Sequence, residues 1–583
     1  MSYLNPTRFT FAGSFQAAPS TINNTPANFG KEATSQTQQS WNPEGNAFFR
    51  VQNCTVRSAL LEGAASAGDP ILGLSFVSTD KPVPGKLVDL DPNQQMVSEV
   101  WGMRLQLGTA GDPNSFVGTF KVAAFTDLWQ RRQVAPPPAP QGGSPYLSAS
   151  YHSILEGIEW GGNPTSPLLR RMKELSLAAL SIKFNVDLYN WYNPAQGPTP
   201  ANEPSAFTFG RIVGAVGPAI AGEPDHFISG RSLVPFGNGA LNFAPCQVGE
   251  DAIHLDLGNS MPTLPNGSID PSQGDLRLAI LNPVALTPPS DDLVAQKGGS
   301  PEAMAAASNV ALTDFVFTQP IDYVNYPANS GLASVPFNPT MRSSLENAPL
   351  GIVRIDAQGE ATEILLSENP DGWLLRADNF VFRLDPGDAI NMRVRATQFG
   401  RTPPAGLEIG LTSRLLGKPK GGMAALNIPG SILTGADGWA ELPIIAGDPG
   451  YPRRSLKIDG QVYAIDYDLT DFPIPNAFQN PSSFISGMIY TDWSKVAANF
   501  ASPTWDGDVE AVLNQYDVLY PVMRDKIGIA LGDYEAVRAN IEVILRYMSF
   551  TRTDPRHMPV TRDLSKSKLQ LVKNWAAHGS PQS

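Results

Sequence analysis

The chain has 583 residues and a mass of 62.6 kDa, too long for one core at roughly 100–200 residues per domain, so a lone small binding module is excluded. Its 42 basic and 55 acidic side chains leave a net charge of −13, which repels phosphate backbones and anionic lipid and argues against a nucleic-acid partner. Hydrophobic residues at 42 %, with 52 Gly and 53 Pro, favour many short strands separated by turns.

The opening residues, Met1 to Phe9, show no basic leader followed by an apolar stretch, and no apolar run approaches the ~20 residues that span a bilayer. The expectation is a cytoplasmic protein without a membrane partner. From Ala12 to Asn46 the chain is rich in Ser, Thr, Asn, Gln and Pro without a usable period, and reads as long ordered loops. The Pro-rich stretch Ala135 to Gly143 reads as a loop or junction, because proline lacks the backbone donor a sheet needs. Pro167 suits the first turn of a helix with Leu169, Met172 and Leu175 on one face. A strand follows, in which Leu180, Ile182, Phe184, Val186 and Leu188 alternate with Ser181, Lys183, Asn185 and Asp187, the period expected when one face is buried. Phe207 to Val216 is its partner strand. Pro283 to Pro301 is a surface excursion leading to a short helix at Pro301 to Ala307.

Between about Gly351 and Tyr467 short alternating strands such as Ile390 to Thr397, with hairpin turns at Asp437-Gly438 and Asp459-Gly460, suit an immunoglobulin-like sandwich. After Thr504 the texture is helical. Thr504, Asp533 and Ser565 cap three helices, and Val537, Ile541, Ile544, Leu545 and Met548 form the stripe of the second. Residues 503–583 hold 10 basic and 10 acidic side chains, so all the net acidity lies in the β-rich part. The fold class is therefore mainly β and multidomain: a sandwich or jelly-roll-like body with long loops over residues 1–345, an immunoglobulin-like sandwich over 346–502 and a C-terminal α-helical unit over 503–583.

Sites of chemistry are sparse. Cys54 and Cys246 are too few for a disulfide framework or a cysteine-built metal site, and read as buried small hydrophobes in a reducing compartment. His152, His226, His254, His557 and His578 are scattered, with no pair at helical metal spacing. His254 and Asp256 share one side of a strand as an ordinary pair. Asp89 to Val100 lacks the Gly and Glu of a calcium loop, Gly210 to Gly217 lacks dinucleotide spacing, and Gly417 to Gly422 is a basic turn, not a phosphate loop. Arg556-His557-Met558-Pro559-Val560-Thr561-Arg562-Asp563-Leu564-Ser565, ahead of a helix carrying Trp575, is similar to the distal half of small c-type cytochromes. That likeness makes Met558 and His557 the candidate haem ligands, held without covalent attachment because no Cys-x-x-Cys-His is present. Arg562 and Asp563 read as a local ion pair at the helix entry.

Two ends of the chain carry a resemblance to a known family. Pro6-Thr7-Arg8-Phe9-Thr10-Phe11-Ala12-Gly13, Tyr516 to Lys526 and Met558 to Ser565 resemble the N-terminal region of the iminophenyl-pyruvate dimer synthase family of violacein pathways, with its chromopyrrolate synthase relatives of rebeccamycin-type pathways. The resemblance implies the secondary-metabolic coupling of two aryl imino acids with haem or iron. Such proteins continue into a ferritin-like module with Glu and His metal ligands, whereas this chain stops at Ser583, so none of that module's residues is carried over. The leading expectation is a non-catalytic scaffold or accessory subunit docking a ferritin-like or oxidase partner. The alternatives are a haem- or iron-dependent oxidative-coupling enzyme, and a self-assembling or carbohydrate-binding sandwich with Trp373 and Trp439 as aromatic candidates.

Overall fold

The computed structural model describes residues 3–18, 45–91, 97–129, 132, 134, 148–176, 178–190, 209–237, 241–264, 267–286, 312–416, 423–454, 459–480 and 483–583. Strands dominate, in curled antiparallel sheets, and helices gather near the C-terminus.

The first sheet has thirteen strands. At its centre Arg8–Ala17 lies between Phe48–Leu61 and Phe209–Pro218, antiparallel to both, and Phe209–Pro218 pairs onward with Leu180–Asn190 and then Ser148–Trp160. Ala12 to Ala17, expected as loop, is thus strand. A bulge around Gly13 breaks the alternation that would have announced it, and a Cβ at Gly13 would collide with Cys54. Residues 19–44 of that expected loop, like Ala135 to Gly143, Pro301 to Ala307 and the Gly417 to Gly422 turn, lie outside the described residues. One face of the sheet is an aromatic core in which Phe9, Phe11, Phe49, Phe116, Tyr151 and Phe184 are buried. Helix Pro167–Leu175, capped by Ser166, closes this core with Leu168, Leu169 and Met172.

A second sheet of eight strands runs in the order Thr313–Val316, Asp275–Leu281, Leu350–Ile355, Ala361–Ser367, Arg231–Pro235, Ala244–Val248, Ala252–Asp256 and Leu332–Pro336. Two of these, Leu350–Ile355 and Ala361–Ser367, fall beyond residue 345, and their ladders place the change of sheet near residue 370. Local alternation is the same whichever sheet a strand joins, so the partner choice was invisible in it.

Between Trp373 and Ile489 two sheets share one core: Trp373–Ala377, Ala389–Gln398, Trp439–Ala446 and Leu426–Asn427 in one, Val381–Leu384, Ile485–Ile489, Gln461–Leu469, Glu408–Leu416 and Ser431–Leu433 in the other. Gly438 adopts φ +79° as its turn requires, but that turn carries the chain between the two sheets instead of joining paired strands. Gly460 is likewise left-handed, and the Asp459 before it is buried, not a solvent-facing turn residue.

Helices Glu510–Leu519, Tyr534–Met548 and Lys566–Ala577 follow, capped by Thr504 through a π turn, by Asp533 and by Ser565. They pack on Val88 and Trp101 of the first sheet and on Ala47, just before one of its strands. Of the expected stripe, Val537, Ile544 and Met548 are buried and Ile541 and Leu545 are half-buried. Among the described residues no helix is long and apolar enough to cross a membrane.

Candidate functional site

The terminal loop is built into a seam. His557 is buried, its Nδ1 2.8 Å from the Phe550 carbonyl, which fixes the proton on Nδ1, and its Nε2 is buried without a hydrogen bond. Burial lowers its pKa to about 4, so the ring is neutral. Met558 is half-buried and packs into the helical core, its N–H bonded to Tyr547. Arg562 and Asp563 do not pair with each other. Left-handed backbone at Arg562 (φ +54°) turns the two side chains apart. The guanidinium donates to the carbonyls of Val560, Arg552 and Asp554 and lies 5.4 Å from the Trp101 ring, while Asp563 accepts from Thr561, Tyr516 and Gln515. Burial pushes the Asp563 carboxyl up. Beside them Asp459 accepts the Thr491 amide at 2.9 Å and the Trp493 indole at 3.0 Å, with Lys568 at 3.5 Å. This polar seam holds the helices to the sandwich.

A second polar region lies under the strand Leu180–Asn190. Alternation promised one buried face, yet both are buried: Ile182 and Phe184 enter the aromatic core, and Ser181, Lys183, Asn185 and Asp187 are covered by residues of the second sheet. Ser181 meets His152 Nε2 at 3.2 Å, Lys183 donates to Asp256 at 2.7 Å, Asn185 accepts from Ser150 at 2.7 Å, and Asp187 takes Arg132 at 2.5 Å and Arg211 at 2.6 Å. Burial raises Asp187, but the two guanidiniums outweigh it and hold the carboxyl at about 2. Asp256 also accepts the Tyr3 hydroxyl at 2.6 Å and the Gly258 amide at 2.9 Å. Burial keeps His152 neutral, well below the ordinary imidazole range.

Of these groups Tyr3, Ser150, His152, Lys183 and Asp256 line a cavity of about 40 Å3 where the first sheet, the second sheet and the sandwich meet. Smaller and larger neighbours of about 10 Å3 and about 70 Å3 adjoin it, and Arg376 borders all three. His152 and His226, far apart in sequence, face the same space. His226 lies between the Val122 carbonyl at 3.2 Å and the Asp378 carboxylate at 3.4 Å, and Asp378 is held below its usual range against its burial by His226 and two backbone amides. Ser181 does not line the cavity, so its contact with His152 presents no nucleophile there. Among the described residues no group of three or more His, Cys, Asp or Glu is placed to hold a metal ion. His254 points instead to Ser334.

Neither His557 nor Met558 borders these cavities. Trp439 is 6 % exposed, with its indole near the Gly222 carbonyl and Arg393 across its face, and Trp373 is 7 % exposed and stacked on Phe472, so neither offers a loop-tip platform for a sugar. Cys54 and Cys246 are free and buried, with thiols pushed up to about 12 by burial.

No protein-family model matches the chain, and no curated protein matches it. Among solved structures it is similar to the Yersinia pseudotuberculosis adhesin InvE (10 % identity, 41 % of this chain and 53 % of that one, TM-score 0.14). It is also similar to domains 4 and 5 of the S-layer protein SbsC (11 % identity, 44 % and 92 %, TM-score 0.13) and to Escherichia coli alpha-2-macroglobulin (10 % identity, 84 % and 38 %, TM-score 0.15). The chain spans about half the length of the adhesin. At such TM-scores these likenesses say nothing about activity.

Proposed function

We propose that this chain is a non-catalytic scaffold or accessory subunit, working in the cytoplasm, that docks a separately made ferritin-like or oxidase partner in aryl imino-acid coupling. The observation that supports the reading is the set of ion pairs joining distant parts of the chain: Arg383 with Glu99, Arg453 with Asp91, Lys183 with Asp256 and Lys568 with Asp459, all buried, and Arg552 with Asp385, partly buried. Breaking one such pair strands a charge in a low dielectric, so the sheets and helices are held as one rigid platform. A platform suits presentation of a surface better than domain closure over a substrate. Purification from the native source in detergent-free buffer, followed by mass spectrometry of co-eluting proteins, tests the reading. A stoichiometric metal-binding or oxidase companion is expected, and a reproducibly solitary monomer would overturn it.

One observation favours the haem-binding alternative. His557 carries its proton on Nδ1 and keeps a lone pair on a buried Nε2 without a partner, the state a metal-ligating imidazole adopts. A Soret band on haem addition, shifted by His557→Ala or Met558→Ala, would support it, and a colourless protein would exclude it.

A further inference from the structure

Two charges at the central cavities stand apart from the others. The ammonium of Lys183 is taken by Asp256, and the guanidinium of Arg231 by Glu368 and the carbonyls of Leu345 and Ala348. His226 has Asp378. The Arg376 side chain, by contrast, makes no hydrogen bond or ion pair with any described residue, and its guanidinium carbon lies 5.7 Å from the Phe227 ring centroid. It is also the residue common to the linings of all three cavities described above.

Asp127 borders two of those cavities with it. Its carboxylate has neutral donors only, Asn480 at 2.7 Å and Thr126 at 3.4 Å, and no cation within ion-pair distance among the described residues. The residue is held in left-handed backbone (φ +54°), which an aspartate tolerates better than most side chains, and its carbonyl is pinned by the amides of Asn242 and Asn259. A constrained conformation that aims a charge into a cavity is strain put to use, since the fold spends two asparagine side chains on keeping it.

We infer that Arg376 and Asp127 form a binding site for a small zwitterion of the α-amino-acid class, its carboxylate on the Arg376 guanidinium and its ammonium on the Asp127 carboxylate. Asp127 is buried without a cation and Arg376 is half-buried beside the same cavities, so a simple anion or cation would satisfy one while leaving the other unpaired. A ligand carrying both signs satisfies the two together. A guanidinium presents parallel N–H donors to a carboxylate, and the second oxygen of Asp127, which takes only a 3.4 Å contact from the Thr126 hydroxyl, has lone-pair capacity left for an ammonium. The site is independent of the docking role proposed above.

Isothermal titration calorimetry of the full chain with glycine and with alanine tests the inference, with acetate and methylammonium as half-ligands. Binding tighter than about 10 mM is expected for the zwitterions, with acetate and methylammonium each weaker by at least about 10-fold. Arg376→Gln and Asp127→Asn should each weaken glycine about 10- to 100-fold, the usual loss for a charged hydrogen-bonding partner. Asparagine keeps the left-handed backbone and the shape, and thermal unfolding of both variants checks that the fold is retained. Absence of saturable heat with any amino acid, equal affinity for acetate and glycine, or unchanged affinity in either folded variant would overturn the inference.

Discussion

The seam under the C-terminal helices and the cavity between the sheets are both buried and polar, yet they close their charges differently. In the seam, Asp459 has two N–H donors and an ammonium, Arg562 spreads its donors over three carbonyls, and Asp563 collects two hydroxyls and an amide. At the cavity the Lys183–Asp256 and Arg231–Glu368 pairs are closed in the same manner, but Arg376 and Asp127 are not. A closed network holds parts together, and removing one member is costly. An open one carries charge that the fold does not use for itself.

The difference can be broken by mutation. Asp459→Ala leaves Lys568 and two N–H donors without an acceptor, so a loss of about 3–5 kcal/mol is expected in chemical denaturation, among the largest of any single substitution in the seam. Ile544→Ala, which empties a buried position in the core of the helical unit, should cost about 2–5 kcal/mol, and Leu545→Ala, half-buried on the same stripe, clearly less. Equal costs at the two would mean that the helix sits in another register.

Acid supplies a third test. Asp187 has a folded pKa of about 2, below the unfolded value near 3.9, so its stabilising contribution is present above pH ~4 and is lost as pH falls toward 2. By linkage that contribution is about 2–3 kcal/mol, and Asp187→Asn should flatten the acid limb of a stability–pH curve while losing at least as much stability at neutral pH. Smallest of all, Arg376→Gln should change stability by no more than about 0.5–1 kcal/mol, because only a 5.7 Å contact with the Phe227 ring is lost and no hydrogen bond or ion pair to a described residue. A cost of several kcal/mol there would show that the cavity is closed after all, and would erase the contrast with the seam.

Much of the fold was legible in local pattern. Pro167 announced a helix start, Leu180 to Leu188 a strand, and Thr504, Asp533 and Ser565 three caps, because each signal is satisfied within a few residues of itself. What failed was long-range. The alternation at Ser181, Lys183, Asn185 and Asp187 reads as a solvent face, and only the second sheet, contributed by residues far along the chain, turns it into an interior. The meeting of His152 with His226 and of Asp127 with Arg376 is set by the docking of three sheets, for which no spacing in the sequence codes. Arg562-Asp563 misled because neighbours of opposite charge suggest a pair, whereas the left-handed backbone at Arg562 sends them to different partners.

The seam also bears on how the chain is made. Asp459 enters the growing sandwich about a hundred residues before Lys568 leaves the ribosome, and the central strand Arg8–Ala17 must wait for Phe209–Pro218 before its second edge is paired. Synthesis therefore exposes an unpaired strand edge early and an uncompensated carboxylate late. Such a nascent chain is expected to engage chaperones until the helix carrying Lys568 docks, and a truncation that removes Lys568 should accumulate in the insoluble fraction during translation even though every strand of the sandwich is present.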